Sequence, residues 1–412
     1  MDGQTPSPRS PGEAPARWLA TLAALLISMA AACGVDVVGD DPPLDAIYDP
    51  VGIALHPSGQ YLYVVNSNFD LDFREDRGGT VVAIDTDTLE VIPSATVQIG
   101  TFGGDIVLNS PAEGPPTRAY VAVRGDKTVT AIDLSATGAQ LSCKGGRLTA
   151  ACRIPTLNDD PFGLAVTSSE IALEGRTARM DFIGVAHLLG GNVTGLTVLD
   201  DEVAAFSRVS APLVSGANDV ALSPRNGQFY TTSRFSNAVV AFRPVIDKGK
   251  IAGIFETAEV TIDNARPAGG FDSRGIAFNA EGTLAFVANR GPDSLVFIDV
   301  GPTDPQTGSG TRNVVVDVLF MPNAPAEIAV IDVGGKTLLY VTSFEGKAIT
   351  VVDPESRAVV DNIDLFSGPY GVAVDQERHK RLYVTLFGDD AVGIIDIDPA
   401  SPSFNTLSGV IR

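Results

Sequence analysis

The chain is expected to be all-β, a single seven-bladed β-propeller of four-stranded antiparallel blades. Three observations predict this. A set of short apolar runs recurs seven times along the 412 residues, at intervals of 44 to 58 positions. Each copy carries one aromatic followed by a β-branched residue: Tyr63-Val64, Tyr120-Val121, Phe182-Ile183, Tyr230-Thr231, Phe286-Val287, Tyr340-Val341 and Tyr383-Val384. The runs are separated by turn formers, with 42 Gly and 27 Pro in all. Units of this kind cannot bury their own apolar faces, so they stack on one another.

The elements of a copy follow in order. The leading strand opens at Gly52-Ile53-Ala54, Asp105-Ile106-Val107, Gly163-Leu164-Ala165, Asp219-Val220-Ala221, Gly275-Ile276-Ala277, Glu327-Ile328-Ala329 and Gly371-Val372-Ala373. A missing side chain at its head allows close approach around a central axis. Turns such as His56-Pro57-Ser58-Gly59 and Ser223-Pro224-Arg225-Asn226-Gly227 lead to the second strand, which carries the aromatic. The third strand closes at Ile84-Asp85, Ile132-Asp133, Leu199-Asp200, Phe242-Arg243, Ile298-Asp299, Val352-Asp353 and Ile395-Asp396. Those aspartates precede tight turns, where a carboxylate accepts backbone N–H groups. A fourth apolar run completes each blade, and radial packing of seven blades leaves only short edges. Two closures of the ring are open. Phe404–Arg412 supplies the outer strand of blade seven, or residues 35–48 add it as a latch.

The copies Pro50–Asp85, Gly275–Asp299 and Pro369–Asp396 come nearest to one pattern: Pro-x-Gly-Ile/Val-Ala, then Tyr-Val-Thr/Ala-Asn, then Val-x-Ile-Asp. It resembles the YVTN β-propeller repeat of bacterial and archaeal surface and periplasmic proteins. The likeness spans residues 49–412, and copies two and three depart from it by insertions. The resemblance implies the fold, which does not name a function. Similar propellers include lactonases of the phosphogluconolactonase-like group, which open cyclic esters at the channel mouth, and subunits of electron-transfer complexes.

Residues 1–32 read as an export signal: Arg17, then an apolar stretch from Trp18 to Ala32. Cys33 follows three small residues and resembles a lipobox cysteine, with Ala30 where a larger aliphatic is usual. The expectation is a lipoprotein held at the membrane by its anchor alone, in the periplasm or at the cell surface, with residues 33–48 as tether or latch. Cys143 and Cys152 are expected to pair in an oxidising compartment. The net charge of −21 is unaltered by removing residues 1–32, which contribute Asp2, Glu13, Arg9 and Arg17. So anionic a protein is repelled by phosphate backbones, which excludes nucleic acid as a partner. A monomer is expected.

Strand direction places loops entering the leading strands and loops after the second strands on one face. The first group carries Asp49, Asp105, Asp160, Asp219, Asp272 and Glu327; the second carries Asn66, Asn68, Arg124, Arg234 and Arg290. Asp105, Asp219, Glu327, Asp272, Arg124, Arg234 and Arg290 are therefore the candidate ligand-binding residues at the channel mouth. The competing expectation is that the carboxylates cap strand starts and pair with neighbouring arginines. Asn68, Asp70 and Asp72 form the densest run of oxygen ligands, a calcium candidate lacking the glycine of an EF-hand-like loop. His56, His187 and His379 are the only histidines, and His187 is placed just after the second strand of blade three. There is no Gly-x-Ser-x-Gly elbow, phosphate loop, His-Glu-x-x-His or haem-attachment motif, so no catalytic residue and no cofactor is assigned. The reading is a tethered binding module for a protein, glycan or small ligand. The alternatives are a lactonase-like hydrolase and a subunit of an electron-transfer complex.

Overall fold

A computed structural model describes residues 39–143, 152–173, 175–199, 202–262 and 272–412. The export signal, Cys33 and Asp200 lie outside the described residues. Among them, seven antiparallel sheets follow one another along the chain in simple up-and-down order. Blade one comprises Pro50–Leu55, Tyr61–Asn66 and Gly79–Asp85, with Glu90–Val91 and Val97–Ile99 sharing its outer edge. Blade seven comprises Pro369–Asp375, Arg381–Leu386, Ala391–Asp396 and Thr406–Ile411. Leading strands of successive blades are neighbours around the axis, and that of blade seven adjoins that of blade one. The chain is a seven-bladed β-propeller.

The repeating aromatic packs between blades. Tyr63, Tyr120, Tyr230 and Tyr340 are fully buried. Each hydroxyl donates to the following blade: to Gly138 O (2.7 Å), Asp181 Oδ2 (2.7 Å), Asn313 Oδ1 (2.8 Å) and Asn405 Oδ1 (2.6 Å). A buried phenol needs such a partner, and here the partner also rivets two sheets. Blade three corrects the sequence reading. Register places Val185 opposite Leu164, as Thr231 lies opposite Val220, so the equivalent of Tyr230 is Gly184 and not Phe182. Phe182 enters two residues earlier on the same face. Phe229 and Phe242 of blade four fill the space beside Gly184.

Blade seven is completed by the C-terminal strand Thr406–Ile411, paired to Ala391–Asp396. Of residues 35–48, those described, 39–48, add no strand to that sheet. Residues 39–48 instead pack on blade one: Asp40 bridges to Phe73, and the Tyr48 hydroxyl donates to Gly78 O at 2.7 Å. Asp49 N donates to Asp390 Oδ1 of blade seven at 2.8 Å, adding a polar tie across the closure. Cys143 and Cys152 are disulfide-bonded and buried in the core between blades one and two. Asp85, Asp299, Asp353 and Asp396, after the third strands, act as turn caps, whereas Asp133 pairs with Arg118. Asp85 accepts from Asp87 N and Thr88 N, Asp353 from Glu355 N and Asp396 from Asp398 N. No helix among the described residues is long and apolar enough to cross a membrane.

Candidate functional site

One backbone irregularity, repeated in every blade, builds the channel. Pairing of each leading strand with its second strand shifts register between its first residue and its fourth, as at Pro50/Ile53, Ala217/Val220 and Pro369/Val372. Such a bulge leaves the second and third residues unpaired and turns them toward the axis. The third residues are Gly52, Asp105, Gly163, Asp219, Gly275, Glu327 and Gly371. The second residues, one step nearer the mouth, are Val51, Gly104, Phe162, Asn218, Arg274, Ala326 and Tyr370. Threonines of the second strands tie this region between blades. Thr232 Oγ1 accepts from Asp219 N (3.1 Å) and donates to Arg274 O (2.7 Å). Thr342 links Glu327 N to Tyr370 O, and Thr385 links Gly371 N to Val51 O across the closure.

The structure brings Asp105, Asp219 and Glu327 together inside the channel, around a cavity of about 140 Å³ that Asn218, Phe162 and Tyr370 also line. Asp105 accepts from Ile106 N (2.7 Å) and, in the next blade, from Leu164 N (3.1 Å). Asp219 repeats the arrangement with Val220 N (2.7 Å) and Ile276 N (3.0 Å). These two carboxyls thus staple blade two to three and blade four to five. Burial pushes Asp105 up to about 7, against the lowering effect of its two N–H donors. Burial, followed by the charge of Asp105, pushes Asp219 up to about 8. Glu327 is held well above the usual carboxyl range by burial and then by Asp219 and Asp105. Close-set acids in a confined cavity keep protons at neutral pH. The Asn218 amide, itself fully buried, accepts from Arg274 at Oδ1 (3.3 Å) but has no acceptor for Nδ2.

Above this chamber the mouth divides into two halves. Phe162 of blade three and Tyr370 of blade seven meet edge to face across the axis, with ring centroids 6.0 Å apart. They line both the chamber and an apolar cup of about 360 Å³ on the outer side. Phe69, Phe102, Phe344 and Phe387 form the rest of the cup, joined by ring contacts of 5.5 to 6.3 Å. Arg124 stands at its edge, bonded to Asp160 (3.2 Å) and lying over Phe102 at 5.9 Å. On the other half, blades four and five bring Arg234, Arg274 and Arg290 near the Tyr370 hydroxyl. Asp272 takes Arg234 Nε (3.4 Å) on one oxygen and Arg274 Nη2 (2.6 Å) on the other. Among the described residues, the Arg290 guanidinium donates to Pro325 O (3.0 Å) and to no carboxylate. One carboxylate, Asp272, therefore serves two of the three guanidinium groups and leaves the third without an acidic partner. Burial and the neighbouring Arg274 depress both Arg234 and Arg290.

Of the residues singled out from sequence, the three acids share the chamber, while Asp272, Arg234 and Arg290 share the cationic edge. Arg124 lies apart from that edge, by the cup. His187 is not at the mouth. It ends the second strand of blade three, is fully buried, and has both ring nitrogens engaged, by Asp159 O and Thr194 Oγ1 at 2.8 Å each. Asn68, Asp70 and Asp72 are not gathered either. The Asn68 amide closes its own loop on Phe73, whereas Asp70 and Asp72 are exposed. No group of three metal-ligating side chains occurs among the described residues. Phe162, Asn218, Arg274, Tyr370 and the aromatic cup were not anticipated. Reading the residue before each Gly or acid of the leading strand finds the first four.

No family model and no curated protein matches the chain. Solved structures do. A functionally unknown protein from Desulfotomaculum acetoxidans is 16% identical with a TM-score of 0.56, over 81% of this chain and 92% of that one. Hydrazine synthase of Kuenenia stuttgartiensis is likewise 16% identical at 0.56, over 88% and 98%. The periplasmic gluconolactonase PpgL of Pseudomonas aeruginosa is 19% identical at 0.53, over 77% and 86%. The likeness is one of fold. It extends to lactonase-like propellers.

Proposed function

We propose that this protein is an exported binding module, anchored to the membrane through acylated Cys33, whose channel mouth captures a small organic anion with an apolar or aromatic body. One observation carries this reading: an aromatic cup adjoins three guanidinium groups, of which Asp272 pairs with two and Arg290 has no carboxylate partner among the described residues. The cup supplies apolar area, and the guanidiniums offer charge-assisted hydrogen bonds to a carboxylate or phosphate. The disulfide suits an oxidising compartment. Calorimetric titration with arylacetates, benzoates and fatty acids, against their neutral amides, tests the proposal. Anions should bind and amides should not, and Arg290→Ala should weaken binding by about ten- to a hundredfold. Equal binding of acids and amides would refute the cationic half of the reading. Loss of labelled palmitate in Cys33→Ser tests the anchor.

A second reading, lactone hydrolysis, is favoured by Asp105 and Asp219, which hold protons near neutrality beneath the mouth. It requires turnover on a lactone panel that Asp219→Asn abolishes.

A further inference from the structure

On the opposite face, between blades four and five, lies an open cleft of about 420 Å³ whose lining includes Arg225, Asn226, Arg243, Thr257, Thr311 and Asn313. The chain has 50 acidic residues, yet none among the described residues lines this cleft. Arg225 is anchored by neutral acceptors: Val300 O (2.6 Å), Thr311 Oγ1 (3.1 Å), Gly310 O (3.2 Å), Gly282 O (3.3 Å) and Gly308 O (3.4 Å). Its charge is held in place and not neutralised. Arg243 is exposed and has no carboxylate partner among the described residues. Both guanidiniums act on the same phenol, that of Tyr230.

Arg243 also marks a departure from the repeat. Five blades have Asp at this position (Asp85, Asp133, Asp299, Asp353 and Asp396), and in four of them the carboxylate caps the turn that follows. In blade four the third strand, Ala238–Asp247, runs four residues further, and Arg243 pairs with Phe255. With no turn to cap, the position is free for another use, and a cation points into a polar cleft. Around the cations stand hydroxyl and amide groups with capacity to spare. Thr311 Oγ1 accepts from Arg225 and Asn226 and keeps its own proton to donate. Asn313 accepts from Tyr230 at Oδ1 and retains its amide N–H groups.

We propose that this cleft is a ligand site, separate from the channel mouth, for a phosphate or sulfate ester of a small polyhydroxylated molecule. The tetrahedral oxyanion sits between Arg243 and the Arg225 charge, and the hydroxyls of the body exchange hydrogen bonds with Asn226, Thr257, Thr311 and Asn313. A guanidinium pair with no competing carboxylate suits an oxyanion, and a lining of amides and hydroxyls suits a polyol more than an apolar body.

Calorimetric titration of the purified full-length protein with glucose 6-phosphate, inorganic phosphate, inorganic sulfate and glucose is the test. Glucose 6-phosphate is expected to bind most tightly, the inorganic anions more weakly, and glucose not at all. Arg243→Asp should weaken sugar-phosphate binding by about ten- to a hundredfold. It installs the residue five other blades carry, so its melting temperature should match the parent's and exclude misfolding as the cause. Arg290→Ala, at the other face, should leave this binding unchanged. The proposal is overturned if none of the anions binds, if Arg243→Asp folds and binds as the parent does, or if Arg290→Ala abolishes binding. Equal affinity for phosphate and glucose 6-phosphate would overturn the polyhydroxylated half of the assignment.

Discussion

Blades two, four and six differ from blades one, three, five and seven at one residue on the axis. The third residue of the leading strand is an acid in the first set and glycine in the second. A side chain there projects toward the next blade, so its neighbour must be bare. A Cβ on Gly163 would stand 2.5 Å from Asp219 Cα and 2.4 Å from Asn218 O; one on Gly275 would stand 2.6 Å from Ala326 O and 2.7 Å from Glu327 Oε2. Strict alternation cannot close around an odd ring. Two glycines therefore adjoin at blades seven and one, where a Cβ on Gly371 would meet Val51 O at 2.4 Å. The acids are a consequence of that geometry: room for a carboxyl exists only beside a glycine, and backbone N–H groups of the bulge receive it. What the alternation adds is a chamber whose acids hold protons at neutral pH.

The alternation is most sensitive at a glycine. Gly275→Val forces a branched side chain against Ala326 O and Glu327, and should cost about 3 kcal/mol or more in urea unfolding. Ala329→Gly, in the core of the same region but off the crowded position, should cost less than half as much.

The acid blades make a prediction about pH. Asp219 rises from 3.8 to about 8 in the folded chain, and Asp105 to about 7. Between pH 4 and 7 the folded state holds protons the unfolded state has lost, so stability falls as pH rises through that window. The slope is up to about 1.4 kcal/mol per pH unit for each proton, and it flattens above pH 8. Asp219→Asn keeps one acceptor and cannot ionise. Its stability should change less steeply between pH 5 and 8 and should exceed the parent's at pH 9. A parallel pH profile would mean that Asp219 is ionised in the folded protein.

A smaller effect separates blades that carry a threonine rivet from those that do not. Thr385→Val removes the hydroxyl between Gly371 N and Val51 O, and should cost about 1–2 kcal/mol. Ala122→Thr in blade two, where no such tie exists, should change stability by less than that.

The repeat made the architecture legible because its residues serve packing that recurs seven times. The aromatic, the turn-capping Asp and the head glycine each have one job in the blades that carry them. Even the Thr of Tyr-Val-Thr proves to be a tie between blades. Two things were not legible. Blade three slips by two residues, since Phe182 and Gly184 lie on the same strand face and sequence similarity favours the aromatic. At the mouth, Phe344 and Phe387 share one repeat position with Arg124, Arg234 and Arg290, four residues after the aromatic, whereas Phe69 and Phe102 stand at other positions in their loops, so the cup as a whole follows no single repeat position. Asp105, Asp219 and Glu327 stood out as departures from glycine, but their depth below Phe162 and Tyr370 depends on the bulge, which leaves no mark in a single copy.

The channel mouth is tested most directly by a crystal structure of the protein soaked with phenylacetate. The ring is expected against Phe69, Phe102 and Phe387, with the carboxylate bonded to Arg290 or Arg274. A ligand bound with its carboxylate away from that edge, or an empty mouth at saturating concentration, would contradict it.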